Sequence, residues 1–215
     1  MRQHLEFMNR DEIINHELGH GIIAFIFHGD YYNFEGIKLE LVEKLNASDS
    51  AYTISKPVDD LSSKVDNDNH LAASVDGLLL LGGVAGLTVF SRNQKPNESS
   101  NNDYKNIFDF RGSEGDCEII ERGNRPYGWY LKNALNNDKE RIDIRNARLL
   151  NLLSNILEQQ EILNAVAFFK NELNSKNELT IDDFGNALDS SFISQTKTEI
   201  IKFIKTGLGK PILVD

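Results

Sequence analysis

Apolar positions along the chain cluster into helical runs set apart by polar stretches. In the first run Ile14, Leu18, Ile22 and Phe25 recur at three- and four-residue spacing, while Ile13, Ile23, Ile26 and Phe27 add apolar surface on other sides. A helix covered in this way belongs at the centre of a fold. Asn9, with Asp11 and Glu12 behind it, resembles a capping box, and Gly29 offers a stop after Phe27 and His28, so the pattern predicts a helix over 10–28. A second run, "GLLLLGGVAGLTVF" from Gly77 to Phe90, sits within a predicted helix over 69–91 and is preceded by Asp76. Its fourteen residues fall short of the roughly twenty that a bilayer crossing requires. It reads as a buried helix in which Gly82, Gly83, Ala85 and Gly86 let another backbone approach.

Between these helices "FEGIKLELVEK" and "AYTISKP" alternate partially and carry β-branched and aromatic residues, which predicts a small hairpin or sheet edge around 34–56. The Asn- and Ser-rich stretch beginning "SRNQKPNESSNNDYKN" predicts a mobile surface loop; for the loop over 92–107, plain disorder is at least as good a reading as the gating of a cleft. Gly115 and Asp116 resemble a turn entering a helical segment interrupted by Gly123 and Pro126. Arg145 to Leu173 shows leucine and isoleucine at three and four spacing, the signature of a long or broken amphipathic helix. Thr180 caps a short helix, and a last one, 195–207, ends at Gly207. The expectation is a mainly α fold with a small β element near 34–56, one domain over 1–215 with its core at 10–190.

Composition narrows the function. With 40% hydrophobic and 26% charged residues the make-up is that of an ordinary globular chain. The 33 acidic against 23 basic residues give a net charge of −10 with no local basic cluster, which argues against nucleic acid and anionic lipid as partners. Cys117 is the single cysteine, so no internal disulfide is available and neither Cys₂His₂ nor Cys₄ zinc ligation can be built. The opening segment "MRQHLEFMNRDEIINHE" lacks the features of a secretory signal. A cytoplasmic protein without a membrane span is expected.

The candidate chemistry lies in "NHELGH", where His16 and His20 stand four apart and Glu17 follows the first. Histidines at that spacing share a helix face, so one ion at about 2.0–2.1 Å from each nitrogen serves both. Glu17 lies beside that face, within reach of a water and able to act as its base. With 5 His and 16 Glu in the chain, chance placement gives HExxH only about 0.01 times. Gly19 and Gly21 each cost a helix about 1 kcal/mol relative to alanine; close packing by a neighbouring helix and space for a peptide beside the ion are equal explanations. A third ligand must come from elsewhere. The metzincin extension is excluded because Ile23 and Ile26 occupy its glycine and histidine positions, and the second helix contains no glutamate for a thermolysin-type site. His70, Asp76, Asp103, Asp109, Glu114 and Asp116 all remain open. Tyr104 and Tyr127 are candidate oxyanion stabilisers, with packing the alternative role for each. For Cys117, Trp129 and Tyr130 packing is the leading expectation over redox or cleft-lining roles.

The order of segments resembles the peptidase domain of FtsH-type ATP-dependent zinc proteases. "NHELGHGIIAF" is similar to that family's HEAGHA helix, "LLLLGGVAGL" to its later Gly-rich helix, "RGSEGDCEII" to the segment carrying its aspartate ligand, and "NELTIDDFGNAL" to its closing turn and short helix. The likeness spans Arg10 to Leu188. It implies an FtsH peptidase-domain-like helical fold, zinc as cofactor, His16, His20 and Asp116 as ligands, and Glu17 as general base. It further implies peptide or unfolded-protein substrates, and the family's ring assembly carries the expectation of a homo-oligomer. The chain departs from the family at Gly86 and Leu87, where acidic residues are usual, and Glu114 stands two residues from Asp116. It shows no GxxxxGK[ST] phosphate loop, so it is expected not to unfold substrates with ATP. The rival readings are a metal-containing but catalytically silent interaction module and a helical binding protein without metal.

Overall fold

Asn9 starts the first helix as its side chain predicts: Glu12 N donates to Asn9 Oδ1 at 3.0 Å, and Asn9 N donates to Glu12 Oε2 at 2.8 Å. This reciprocal pair satisfies two backbone donors that the helix leaves open. The computed structural model describes residues 9–40, 50–58, 70–92 and 125–208. Helix α1, Arg10–Ile26, has 12 of its 17 residues buried, which makes it the central rod that its all-round apolar pattern required. It stops two residues before the expected end. Phe27 closes it with a bond to Ile23 O, and Gly29, at φ +81°, turns the chain so that its N–H donates to Tyr32 O at 2.8 Å.

Strand β1, Tyr32–Glu40, pairs antiparallel with β2, Ser50–Pro57, as the alternation predicts. Phe34 and Ile37 both face inward although three residues separate them. A bulge between Phe34 and Gly36 supplies the extra residue that restores the inward face. Gly36 stands at φ +151°, and a Cβ there would run into Leu179 O, so only glycine fits. That carbonyl belongs to β3, Glu178–Thr180, which extends the sheet on the far side of β1 to give the order β2-β1-β3. The third strand was not predicted; three residues carry no periodicity to read.

Helix α2, His70–Arg92, lies along α1. It is long and apolar enough to cross a membrane by composition, yet 89% of its apolar window is buried inside the protein. Close backbone approach explains the fit, because Cβ atoms at Gly82 and Gly86 would press on the α1 backbone around Gly19. Pro126 opens α3, Pro126–Asn133, at a position where its missing N–H costs nothing. The periodic stretch from Arg145 is two helices, α4, Lys139–Leu157, and α5, Gln160–Lys176, broken at Glu158 and Gln159. Helix α6, Ile181–Ala187, is capped by Thr180. Helix α7, Ser190–Phe203, begins before the expected residue 195 because Asp189 accepts from Ser191 N at 2.8 Å and Phe192 N at 3.1 Å; a π-helical turn, Ile204–Leu208, completes it. Phe184 of α6 stacks on Phe169 of α5 at 4.3 Å between ring centroids and meets Phe34 of β1 edge-on at 4.9 Å, locking sheet to helices. The described residues are mainly helical with one small antiparallel sheet, the predicted class.

Candidate metal centre

His16 and His20 occupy consecutive turns of α1 and are both 8% exposed. Their Nε2 atoms lie 3.0 Å apart, with the rings edge-on at an interplanar angle of 81°. Two nitrogens each about 2.0–2.1 Å from one ion would subtend roughly 95° at that separation, so a small opening of the pair reaches tetrahedral geometry. The Nδ1 of His20 is 2.6 Å from Leu79 O on α2. A carbonyl only accepts, so Nδ1 carries the proton and Nε2 presents its lone pair towards His16. This outer hydrogen bond selects the tautomer that a metal ligand needs.

Gly83 of α2 makes the room. A Cβ built there would collide with His16 Cε1 and with the Nε2 atoms of both rings. The small residues of the second helix thus have two jobs: Gly82 and Gly86 bring the backbones together, and Gly83 leaves space over the imidazoles. In α1 the packing explanation prevails for both glycines. Gly19 meets the α2 backbone, and Gly21 faces Ile37 and Phe184.

Glu17 is partly exposed and completes a group in which a carboxylate oxygen and the two imidazole nitrogens all lie within 4.8 Å of one another. This His16, Glu17 and His20 cluster has the donors and the space to hold a metal ion. Thr53 of β2 donates from Oγ1 to Glu17 Oε2 at 2.9 Å and lies 3.2 Å from the main-chain oxygen of Glu17. Nothing in "AYTISKP" distinguishes this threonine from one present for strand packing; only the docking of β2 on α1 reveals the contact.

Asp116, the ligand implied by the resemblance, lies outside the described residues, as do Asp103, Tyr104, Asp109, Glu114, Cys117 and most of the 92–107 stretch. Two other candidates are corrected. Asp76 is fully buried, and its carboxylate accepts from Tyr32 OH at 2.9 Å, Arg125 Nε at 3.0 Å, Arg125 Nη2, and Tyr127 N at 3.0 Å. Seven residues from Gly83, it is also about 10 Å away along the helix axis. His70, at the first turn of α2, is about 20 Å from Gly83 on the same rise, and its ring faces Tyr130. Among the described residues neither joins the histidine cluster.

The aromatic expectations divide similarly. Tyr127 is fully buried, donates its hydroxyl to Asn146 Oδ1, and has its pKa pushed up by burial; it is a packing residue and not an oxyanion donor. Burial first, and then the Asp76 charge, push the Tyr32 phenol well above its ordinary value, so it stays a neutral donor to that carboxylate. Trp129 is 44% exposed and is no core anchor. Tyr130 lies beneath the Arg145 guanidinium, 4.4 Å from ring centroid to Cζ. Comparison with protein-family models, curated proteins and solved structures finds no match to this chain.

Proposed function

We propose that this protein is a zinc-dependent endopeptidase acting on unfolded proteins or peptides, of the kind found in FtsH-type proteases. The observation that carries the reading is the pair of buried Nε2 atoms 3.0 Å apart, one held in the ligand tautomer by Leu79 O, with the Glu17 carboxylate alongside. His16 and His20 would hold the ion, and the likeness around "RGSEGDCEII" supplies Asp116 as the third ligand. A bound zinc ion supplies Lewis acidity, polarising the scissile carbonyl and lowering the pKa of water from 15.7 towards about 7. Glu17 accepts the proton of the attacking water and returns it to the departing amine. The His20 to Leu79 hydrogen bond keeps the ligand ring oriented throughout, and burial of both rings limits competing solvent.

The test is direct. Purified without chelator, the chain should carry close to one equivalent of zinc and cleave a permanently unfolded labelled protein. Glu17→Gln should retain the zinc and lose activity by roughly 100-fold or more. Zinc far below one equivalent defeats the metal reading; full zinc with equal activity in wild type and Glu17→Gln defeats the catalytic one.

A further inference from the structure

We propose that Thr53 is a positioning residue for Glu17, holding one oxygen of its carboxylate so that the carboxyl group stays beside the histidine pair; the inference rests on the peptidase reading and adds to it a dependence on the hairpin. A glutamate side chain has three rotatable bonds, and its terminal torsion is broad. On α1 alone Glu17 would therefore sample positions away from the imidazoles. Thr53 restricts it: Oγ1 lies 2.9 Å from Oε2 and 3.2 Å from the main-chain oxygen of the same residue. A hydroxyl carries one proton, and the carboxylate is both the nearer and the charged acceptor, so the bond runs chiefly to Oε2. Thr53 engages Oε2 and not Oε1 among the bonds of the described residues, so the carboxylate keeps an oxygen with which to take a proton.

The placement of Thr53 is set by the sheet. It stands opposite Ile37 in the β1–β2 pairing, and Ile37 is fully buried against Gly21 of α1. A side chain larger than glycine at 21 would push on that isoleucine and on the strand pair behind it. Register in β1–β2 therefore translates into the position of a hydroxyl beside Glu17, and a one-residue slip would turn Thr53 to the opposite face.

The experiment compares Thr53→Val, which keeps the shape and strand preference but removes the donor, with Thr53→Ser, which keeps the donor. Each is assayed as the full chain with zinc, on a quenched-fluorescence peptide chosen from the products of the unfolded-protein digest. Thr53→Val should lower kcat about tenfold or more, the scale of one hydrogen bond to a charged group, with KM and zinc content unchanged, and Thr53→Ser should restore kcat to within about twofold of wild type. A second readout needs neither metal nor turnover: in zinc-free protein with 13C-labelled glutamate side chains, the Glu17 carboxyl resonance, identified by its loss in Glu17→Gln, should move in Thr53→Val and return in Thr53→Ser. A Thr53→Val variant with wild-type kcat, or an unmoved Glu17 resonance, overturns the positioning role and leaves the peptidase reading standing. A wild type no more active than Glu17→Gln overturns both.

Discussion

At the scale of single residues, Gly83 decides whether the two histidines are ligands or merely neighbours. On an unconstrained helix glycine to alanine stabilises by about 1 kcal/mol. At 83 the added methyl would strike both imidazoles on the side where their Nε2 atoms converge, and relieving such overpacking costs about 1–3 kcal/mol. Gly83→Ala should therefore weaken zinc binding by at least about tenfold, because the rings must turn apart, while the fold persists. Competition with a chromophoric chelator measures the first and circular dichroism the second. Undiminished affinity in Gly83→Ala would mean that the ion, if bound, does not sit between these rings.

At the scale of elements, the short helix α6 shows how local chemistry sets a boundary. Asp183 N donates to Thr180 Oγ1, and Thr180 N donates to Asp183 Oδ2 at 2.7 Å. That main-chain N–H is the first cause holding the Asp183 carboxyl below its ordinary pKa, with the Thr180 hydroxyl adding to it. A depressed folded pKa means that stability is present above the unfolded value and is lost as pH falls through the folded one. The stability difference between wild type and Asp183→Asn should accordingly be open at pH 7 and shrink as pH falls below the ordinary aspartate value of about 4. Urea unfolding at several pH values tests this, and a difference that widens in acid would contradict it. Thr180→Ala should cost about 1 kcal/mol at neutral pH in the same measurement. Phe184, one residue on, carries the consequence to the core through Phe169 and Phe34.

At the scale of the whole molecule, Asp76 joins parts of the chain that are distant in sequence. Its carboxylate gathers Tyr32 at the start of β1, Arg125 before α3, and the Tyr127 backbone within α3. Arg145 donates to Ser74 Oγ at 2.5 Å on the same helix, α2. Removing the carboxylate would leave a largely buried guanidinium and a buried phenol without their acceptor, and breaking a buried charge pair from one side costs about 3–5 kcal/mol. Asp76→Ala should lower unfolding free energy by that order in urea titrations. The folded fraction should still bind zinc, since the carboxylate lies about 10 Å along α2 from Gly83. Loss of zinc without loss of stability would return Asp76 to the list of ligands.

Much of this was legible from residues close together in the chain, because caps, helical periods and the HExxH spacing act over one to four residues. The capping box at Asn9, the stop near Gly29, the buried character of α1 and α2, the hairpin, and the presence of His16, Glu17 and His20 on one helix all follow from such short-range rules. What needed three dimensions was every partnership between distant segments: Gly83 over the imidazoles, Leu79 O on His20, Thr53 on Glu17, and Asp76 taken by Arg125 and two tyrosine residues instead of an ion. A carboxylate in an apolar helix has the same letters whether it binds metal or guanidinium, and a glycine has the same letter whether it admits a backbone or an imidazole. Packing chooses between them, since only contact brings the competing donor, acceptor or side chain to the place where the choice is made.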